Sequence, residues 1–150
     1  MNKQGKVLSV NVSEKKGLVK HEAAEIICRE NFGIEGDAHA EAGSKRQISL
    51  LAQESIDKMT ELGVKGLCFG KFAENITTSG LVLYELKVGT RLRIGETIQE
   101  VSQIGKKCHA LDGCEVARTV GICVMPKEGI FTVVIKGGKI KAGDILEVLD

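Results

Sequence analysis

The stretch that decides the fold is Val88-Gly89-Thr90-Arg91-Leu92-Arg93-Ile94-Gly95-Glu96-Thr97-Ile98-Gln99-Glu100-Val101. It contains two short β-type runs, 91–94 and 97–101, and Gly89 and Gly95 punctuate them. Glycine adopts tight-turn conformations without a steric penalty, and short runs bounded in this way are typical of strands. The stretch therefore predicts short strands that are separated by tight turns.

Runs of the same kind occur on both sides of this stretch. The further strand-like segments are 6–12, 46–51, 72–78, 81–84, 130–136 and 145–149. Residues 22–28 are apolar and suit either a strand or a short helix. Gly137-Gly138 separates two of the strand-like runs and predicts a hairpin.

One helix is clear in the sequence, over residues 52–62. Ile56, Met59 and Leu62 recur there at helical spacing, and Gly63 supplies a C-terminal stop. A second short helix could cover 108–118. Many short strands with one or two short helices predict a mainly β fold, a closed or nearly closed β-barrel. The 150 residues suit a single domain, 1–150.

The composition excludes several classes of protein. The net charge of +1 gives no electrostatic case for nucleic acid or an anionic membrane as a partner. No apolar run approaches the roughly 18 residues of a membrane span, and the first ten residues lack the apolar core of a signal peptide. Five cysteines are an odd number, and without a secretory context we expect reduced thiols in the cytoplasm rather than a disulfide framework.

The first candidate site is Gly36-Asp37-Ala38-His39, followed by Arg46 and Gln47. Small residues let the backbone approach a ligand, and His39 and Arg46 could then bind an anionic group, with arginine supplying a planar fork of donors. The alternative is a glycine turn capped by Asp37, with Arg46 in solvent.

The second candidate site is Glu74-Asn75-Ile76-Thr77-Thr78. Strand alternation would place Asn75 and Thr77 on one face and Glu74, Ile76 and Thr78 on the other. The amide and hydroxyl groups suit a polar ligand. The alternative is an edge strand with one polar face.

The third candidate site is Gly105-Lys106-Lys107-Cys108-His109, with Cys114 and Cys123 downstream. Neighbouring lysine or protonated histidine stabilises a thiolate, which makes Cys108 the candidate nucleophile. A zinc site is the alternative, but the spacing of these cysteines matches no standard paired pattern, so we expect no zinc. Cys28, Cys68 and Cys123 have apolar neighbours and are expected to be structural.

Common catalytic signatures are missing from the sequence. It has no GxxxxGK[ST] loop, no GxGxxG after a strand, no GxSxG elbow and no HExxH. These absences argue against nucleotidases, dinucleotide oxidoreductases, serine hydrolases and zincins.

Taken in order, the motifs resemble the MOSC domain, which is named for the C-terminal domain of molybdenum cofactor sulfurases, and in particular its small stand-alone bacterial type. The matching segments are Gly36-Asp37-Ala38-His39, Arg46-Gln47-Ile48-Ser49-Leu50-Leu51, Glu74-Asn75-Ile76-Thr77, 88–96, Cys108, and 129–131 through Gly137-Gly138 to Gly143-Asp144. Lys107 stands where the larger members usually have proline. The resemblance covers nearly the whole chain.

The resemblance implies a β-barrel that binds the molybdenum cofactor (molybdopterin) or a related pterin, in some cases transiently. Its cysteine, matched by Cys108, carries or transfers sulfur in the family. The cofactor phosphate would then seek His39 and Arg46, and the pterin would seek Asn75, Thr77 or Thr78, with Lys107 and His109 beside the thiol. We expect no pyridoxal-phosphate-dependent domain like that of the large sulfurases, so a sulfur donor and a molybdoenzyme client are the expected partners.

Two other interpretations stand beside this one. The chain could be a small enzyme that acts on N-oxygenated compounds, either through thiol chemistry or with Cys108 as a ligand of molybdenum. It could also be a pterin- or anion-binding module without turnover.

Overall fold

The computed structural model describes residues 3–16, 19–63, 65, 67, 69–105 and 125–149. The strands are β1 Gln4–Val12, β2 His21–Ala23, β3 Ile26–Arg29, β4 Gly33–Ile34, β5 Ile48–Ala52, β6 Ile76–Ser79, β7 Arg91–Ile94, β8 Thr97–Ile104, β9 Ile130–Lys136, β10 Gly138–Ile140 and β11 Ile145–Leu149. The helices are α1, Gln53–Glu61, and α2, Met125–Glu128, and a 3₁₀ turn covers Leu83–Glu85.

Seven strands close into a barrel in the order β11-β7-β8-β9-β5-β6-β1, with β1 pairing back onto β11. The pairs are antiparallel except β5 with β6, which run parallel. β2 adds an extra strand to β1, and β10-β3-β4 form a separate three-stranded sheet. The predicted mainly β fold with a closed barrel is confirmed.

The barrel has a filled interior and one covered outer face. Leu50, Ile76 and Ile130 belong to the main core cluster. A second cluster, called here the outer cluster, consists of Leu51, Ile56, Met59, Phe72 and Phe131. All five residues of β5 are buried, because alternate side chains enter the barrel and the outer cluster beneath α1.

The predicted helix over 52–62 is confirmed as α1, with Leu62 as its C-cap and Gly63 at φ +92°. The left-handed conformation at Gly63 is the usual glycine stop. Neither helix in the described residues has the length and apolar character that crossing a membrane requires.

Two local predictions were wrong. Residues 81–84 do not form a strand: Leu81 and Leu83 are buried, but the backbone enters the 3₁₀ turn, so their apolar character reflects burial rather than pairing. The Gly137-Gly138 hairpin between 130–136 and 145–149 is also wrong, because β9 pairs with β5 and β8 whereas β11 pairs with β1 and β7.

Three other predictions were right in part. The strand expected over 72–78 is confined to Ile76–Ser79. The one expected over 46–51 runs from Ile48 to Ala52. Residues 22–28 contribute to two short strands, β2 and β3, rather than to one element.

Candidate functional site

His39 stands beside a buried ion pair. The Lys20 ammonium lies 2.8 Å from Asp37 Oδ1, and both side chains are fully buried. Asp37 also accepts the backbone N–H of Ser13 on Oδ1 and that of His39 on Oδ2, each at 3.1 Å. Asp37 therefore fixes the backbone at His39 and joins it to the segment that follows β1.

The same cluster orients the imidazole ring. Lys20 Nζ lies 3.2 Å from His39 Nδ1. An ammonium can only donate a hydrogen bond, so Nδ1 is the acceptor and the ring proton sits on Nε2. The His39 side chain is 31% exposed. The arrangement can therefore present an Nε2–H donor to a ligand.

The electrostatics of Asp37 follow from these contacts. Burial alone would raise the pKa of its carboxyl group. The contact with His39, the hydrogen bond and charge of Lys20, and the hydrogen bond from the Ser13 backbone N–H outweigh burial and hold the pKa of Asp37 well below its usual range.

Arg46 is exposed at the entrance to β5. Its guanidinium carbon lies 5.4 Å from the centre of the Phe131 ring, and its Nε–H donates to Gln103 Oε1 at 3.2 Å. Within the part of the chain that the structure describes, its terminal nitrogens have no partner and no carboxylate pairs with it. Arg46 thus presents free donors to an anion.

Gln103 connects Arg46 to the end of β8. Its Nε2 donates to the carbonyl oxygen of Gly105 at 2.8 Å, and the Gly105 N–H donates to the Gly129 carbonyl oxygen at 2.7 Å. Cys108 follows Gly105 by three positions in the sequence.

Apart from Gly105, the third candidate site lies outside the described residues. This applies to Lys107, Cys108 and His109, to Cys68, Cys114 and Cys123, and to the helix expected over 108–118. The functions predicted for these residues stay predictions. Cys28 is a free, buried cysteine, and burial raises the pKa of its thiol to about 12, as expected for a structural cysteine.

Asn75 is fully buried, and protein groups occupy its carboxamide. Its Oδ1 accepts the N–H and the hydroxyl of Ser49 at 3.0 and 3.1 Å. Its Nδ2 donates to the carbonyl oxygen of Asn11 at 3.1 Å. In this structure the side chain ties β5 to β1 and is not presented to solvent.

Thr77 and Thr78 are also fully buried and point to opposite sides of β6. The Thr77 hydroxyl donates to Glu74 Oε2 at 2.8 Å and accepts from Asn11 Nδ2 at 3.2 Å. Glu74 thus lies on the Thr77 side of the strand. The expected alternation fails at Glu74 because this residue precedes the strand. The Thr78 hydroxyl has no hydrogen-bond partner among the described residues.

Glu74 is a buried carboxyl that closes the turn before β6. It accepts the backbone N–H groups of Gly70 and Phe72, each at 3.2 Å, as well as the Thr77 hydroxyl. Burial raises the pKa of Glu74, although these hydrogen bonds oppose the rise.

The predicted residues therefore fall into separate groups. Asn75 and Thr77 both bind Asn11. His39 belongs to the cluster of Lys20 and Asp37. Arg46 contacts Gln103 and Phe131. The sequence analysis missed Lys20, Gln103 and Phe131, and no local pattern distinguishes them. The described residues contain no group of three or more histidine, cysteine or acidic side chains that could hold a metal ion.

Comparison with known proteins identifies the family. The model of the MOSC domain matches residues 36–147. No curated protein matches the sequence significantly.

Solved structures share the fold. The YuaD protein of Bacillus subtilis is 22% identical with a TM-score of 0.73, over 97% of this chain and 95% of that one. YiiM of Geobacillus stearothermophilus is 20% identical with a TM-score of 0.72, over 97% of this chain and 75% of that one. YiiM of Escherichia coli is 22% identical with a TM-score of 0.71, over 99% and 71%. At these identities the likeness shows the fold alone. The family model, however, spans well over half of the sequence, and the chain belongs to the MOSC domain family.

Proposed function

We propose that this protein binds the molybdenum cofactor or a related phosphorylated pterin, and that Cys108 accepts sulfur and passes it on. The family is known for binding this cofactor. The observation that carries the proposal is Arg46, an exposed arginine without a carboxylate partner in the described residues. Its Gln103 contact leads to Gly105, and Cys108 follows in the sequence.

Arg46 would hold the phosphate. A guanidinium binds phosphate through parallel N–H···O bonds, and its terminal nitrogens are open in the described structure. His39 would add a donor through Nε2–H. The residues present therefore fit the anionic part of the cofactor, and Lys107 and His109 would assist near the thiol.

The buried polar residues Asn75, Thr77 and Thr78 were expected to contact the pterin, but their burial argues for a structural role. Pterin contacts from Asn75, Thr77 or Thr78 would require these side chains to become accessible, and Asn75 and Thr77 would also have to give up protein partners. We therefore assign Asn75 and Thr77 the role of fixing β6 and the residue before it against neighbouring segments. Direct contact of Asn75, Thr77 or Thr78 with the pterin stays a prediction.

Cys108 would carry the sulfur step. Its thiolate would attack the outer sulfur of a donor persulfide, which forms a new S–S bond and releases the donor thiolate. A thiolate of the acceptor would then attack the outer sulfur of the Cys108 persulfide, which breaks the S–S bond, forms a persulfide on the acceptor and releases the Cys108 thiolate. Lys106, Lys107 and His109 are its sequence neighbours and would favour the thiolate form. The bound cofactor would supply molybdenum, which could hold the sulfur as sulfide once a thiol reductant had provided two electrons.

The test measures binding of molybdopterin and loading of sulfur by the purified chain. Arg46→Ala should weaken cofactor binding by about 1.5–3 kcal/mol, the range for a hydrogen bond to a charged group. Arg93→Ala is the matched control, because Arg93 is also an exposed barrel arginine. Cys108→Ser should abolish sulfur loading while phosphate-dependent binding persists.

Three outcomes would contradict the proposal. Equal binding by Arg46→Ala and wild type would remove Arg46 as the anchor. Molybdenum retained near one per chain, with reductase activity, would favour the enzyme interpretation. No affinity for any pterin would favour a module without turnover that binds another anion.

A further inference from the structure

The guanidinium of Arg46 is held on two sides. Its Nε–H is occupied by Gln103 Oε1, and one face of its plane lies over the Phe131 ring. Side-on binding of an anion uses Nε together with one terminal nitrogen, and Gln103 blocks that edge. The open edge is the pair of terminal nitrogens.

Both supporting side chains are themselves fixed. Phe131 is 5% exposed and packs in the outer cluster with Leu51 and Phe72. Gln103 donates its Nε2 to the Gly105 carbonyl oxygen, which turns its Oε1 toward Arg46. An exposed arginine normally samples many rotamers, but here its fork is positioned before any ligand arrives.

We propose that Gln103 and Phe131 are positioning residues that make Arg46 an end-on fork for one phosphate group. The inference rests on the proposed function and names the ligand chemistry of its anchor. The adjacent Lys45 is also exposed and has no ion-pair partner in the described residues. A second positive charge at the neighbouring sequence position raises the local positive potential, which favours a doubly charged phosphate over a carboxylate.

The expected size of the effect follows from the stacking. A cation–π contact at an exposed site contributes roughly 0.5–1 kcal/mol, which corresponds to about a two- to five-fold change in affinity. Phe131→Leu should weaken phosphate binding by that ratio. Gln103→Leu should weaken it to a similar extent, because Nε–H loses the acceptor that fixes it.

The experiment titrates inorganic phosphate into ¹⁵N-labelled protein and follows the Arg46 Nε–H signal, assigned by its loss in Arg46→Lys. Phe72→Leu is the matched control, because it removes a ring from the same outer cluster without touching Arg46. That control should lose stability but keep wild-type phosphate affinity. The ring-current shift of the Arg46 signal should disappear in Phe131→Leu and persist in Phe72→Leu.

The outcomes separate this inference from the proposed function. If Arg46→Ala abolishes phosphate binding while folded Phe131→Leu and Gln103→Leu bind as wild type does, the positioning inference fails and the anchor stands. If wild type does not bind phosphate, or binds acetate as tightly, the phosphate fork is overturned. Loss of phosphate affinity in Phe72→Leu would also overturn it, because the effect would then follow core packing rather than the stack.

Discussion

Lys20→Met should destabilise the protein more than most single substitutions. The change removes the ammonium that lies 2.8 Å from Asp37 Oδ1 and leaves a fully buried carboxylate without its cation. The carboxylate keeps two backbone donors, from Ser13 and His39. Removing one partner of a buried ion pair typically costs about 3–5 kcal/mol. At roughly 2–4 °C per kcal/mol for a domain of this size, Tm should fall by about 6–20 °C.

The stability difference between wild type and Lys20→Met should depend on pH. In wild type the folded pKa of Asp37 lies below its ordinary value of 3.8, so its contribution is present above that pH and is lost as the pH falls. In Lys20→Met the charge no longer opposes burial, and the folded pKa of Asp37 rises. When the folded pKa of Asp37 lies above its unfolded value, protonation of Asp37 stabilises the folded state in acid. The stability gap between wild type and variant should therefore narrow as the pH falls from 7 to 4.

The assay is urea unfolding of four proteins at several pH values: wild type, Lys20→Met, Asp37→Asn and the double variant. The double variant removes both charges, so it should lose less than the sum of the two singles, by roughly 0.5–3 kcal/mol. A loss below about 1 kcal/mol in Lys20→Met at pH 7, or a gap that does not change with pH, would refute the reasoning.

Three further predictions concern buried groups. Cys28, whose pKa burial raises to about 12, should resist iodoacetamide in the native protein at pH 8 and react once urea unfolds the chain; rapid native labelling in a peptide map would contradict this. Gly70→Ala should shift the urea midpoint by more than Gly89→Ala, since both glycines have positive φ but only a Cβ at position 70 would clash with the Lys20 carbonyl oxygen. Equal shifts of the two midpoints would show that this clash does not contribute. Because the folded pKa of Glu74 is raised above 4.5, its favourable contribution is present below that pH and is lost as the pH rises through the folded pKa. Glu74→Gln should therefore gain stability relative to wild type between pH 4.5 and 7, and a constant difference in unfolding free energy would argue against it.

The sequence pattern predicted those elements whose bounds are determined by local interactions. The bounds of β7 and β9 agree with the sequence analysis to the residue, because β-type runs and flanking turns coincide there. The helix also followed its apolar spacing. At residues 81–84 the same apolar signal meant only burial, since the chain packs leucines inward through a 3₁₀ turn.

The candidate site depended on contacts that no local pattern encodes. Lys20 meets Asp37 only because the barrel brings the segment after β1 against the loop after β4. Gln103 meets Arg46 from a distant strand. Arg46 and His39 could be selected by residue type and family motif, whereas the groups that orient them could not.

The pairing of β1 with β11 has a consequence for how fast the barrel forms. Gln4 lies opposite Glu147, so the barrel closes only when two distant parts of the chain meet. Closing so long a loop costs chain entropy before the contact can stabilise the structure. Folds dominated by such pairings therefore fold in milliseconds to seconds. Until then the unpaired edges of β1 and β11 can associate with other chains. Refolding yield should therefore fall as protein concentration rises.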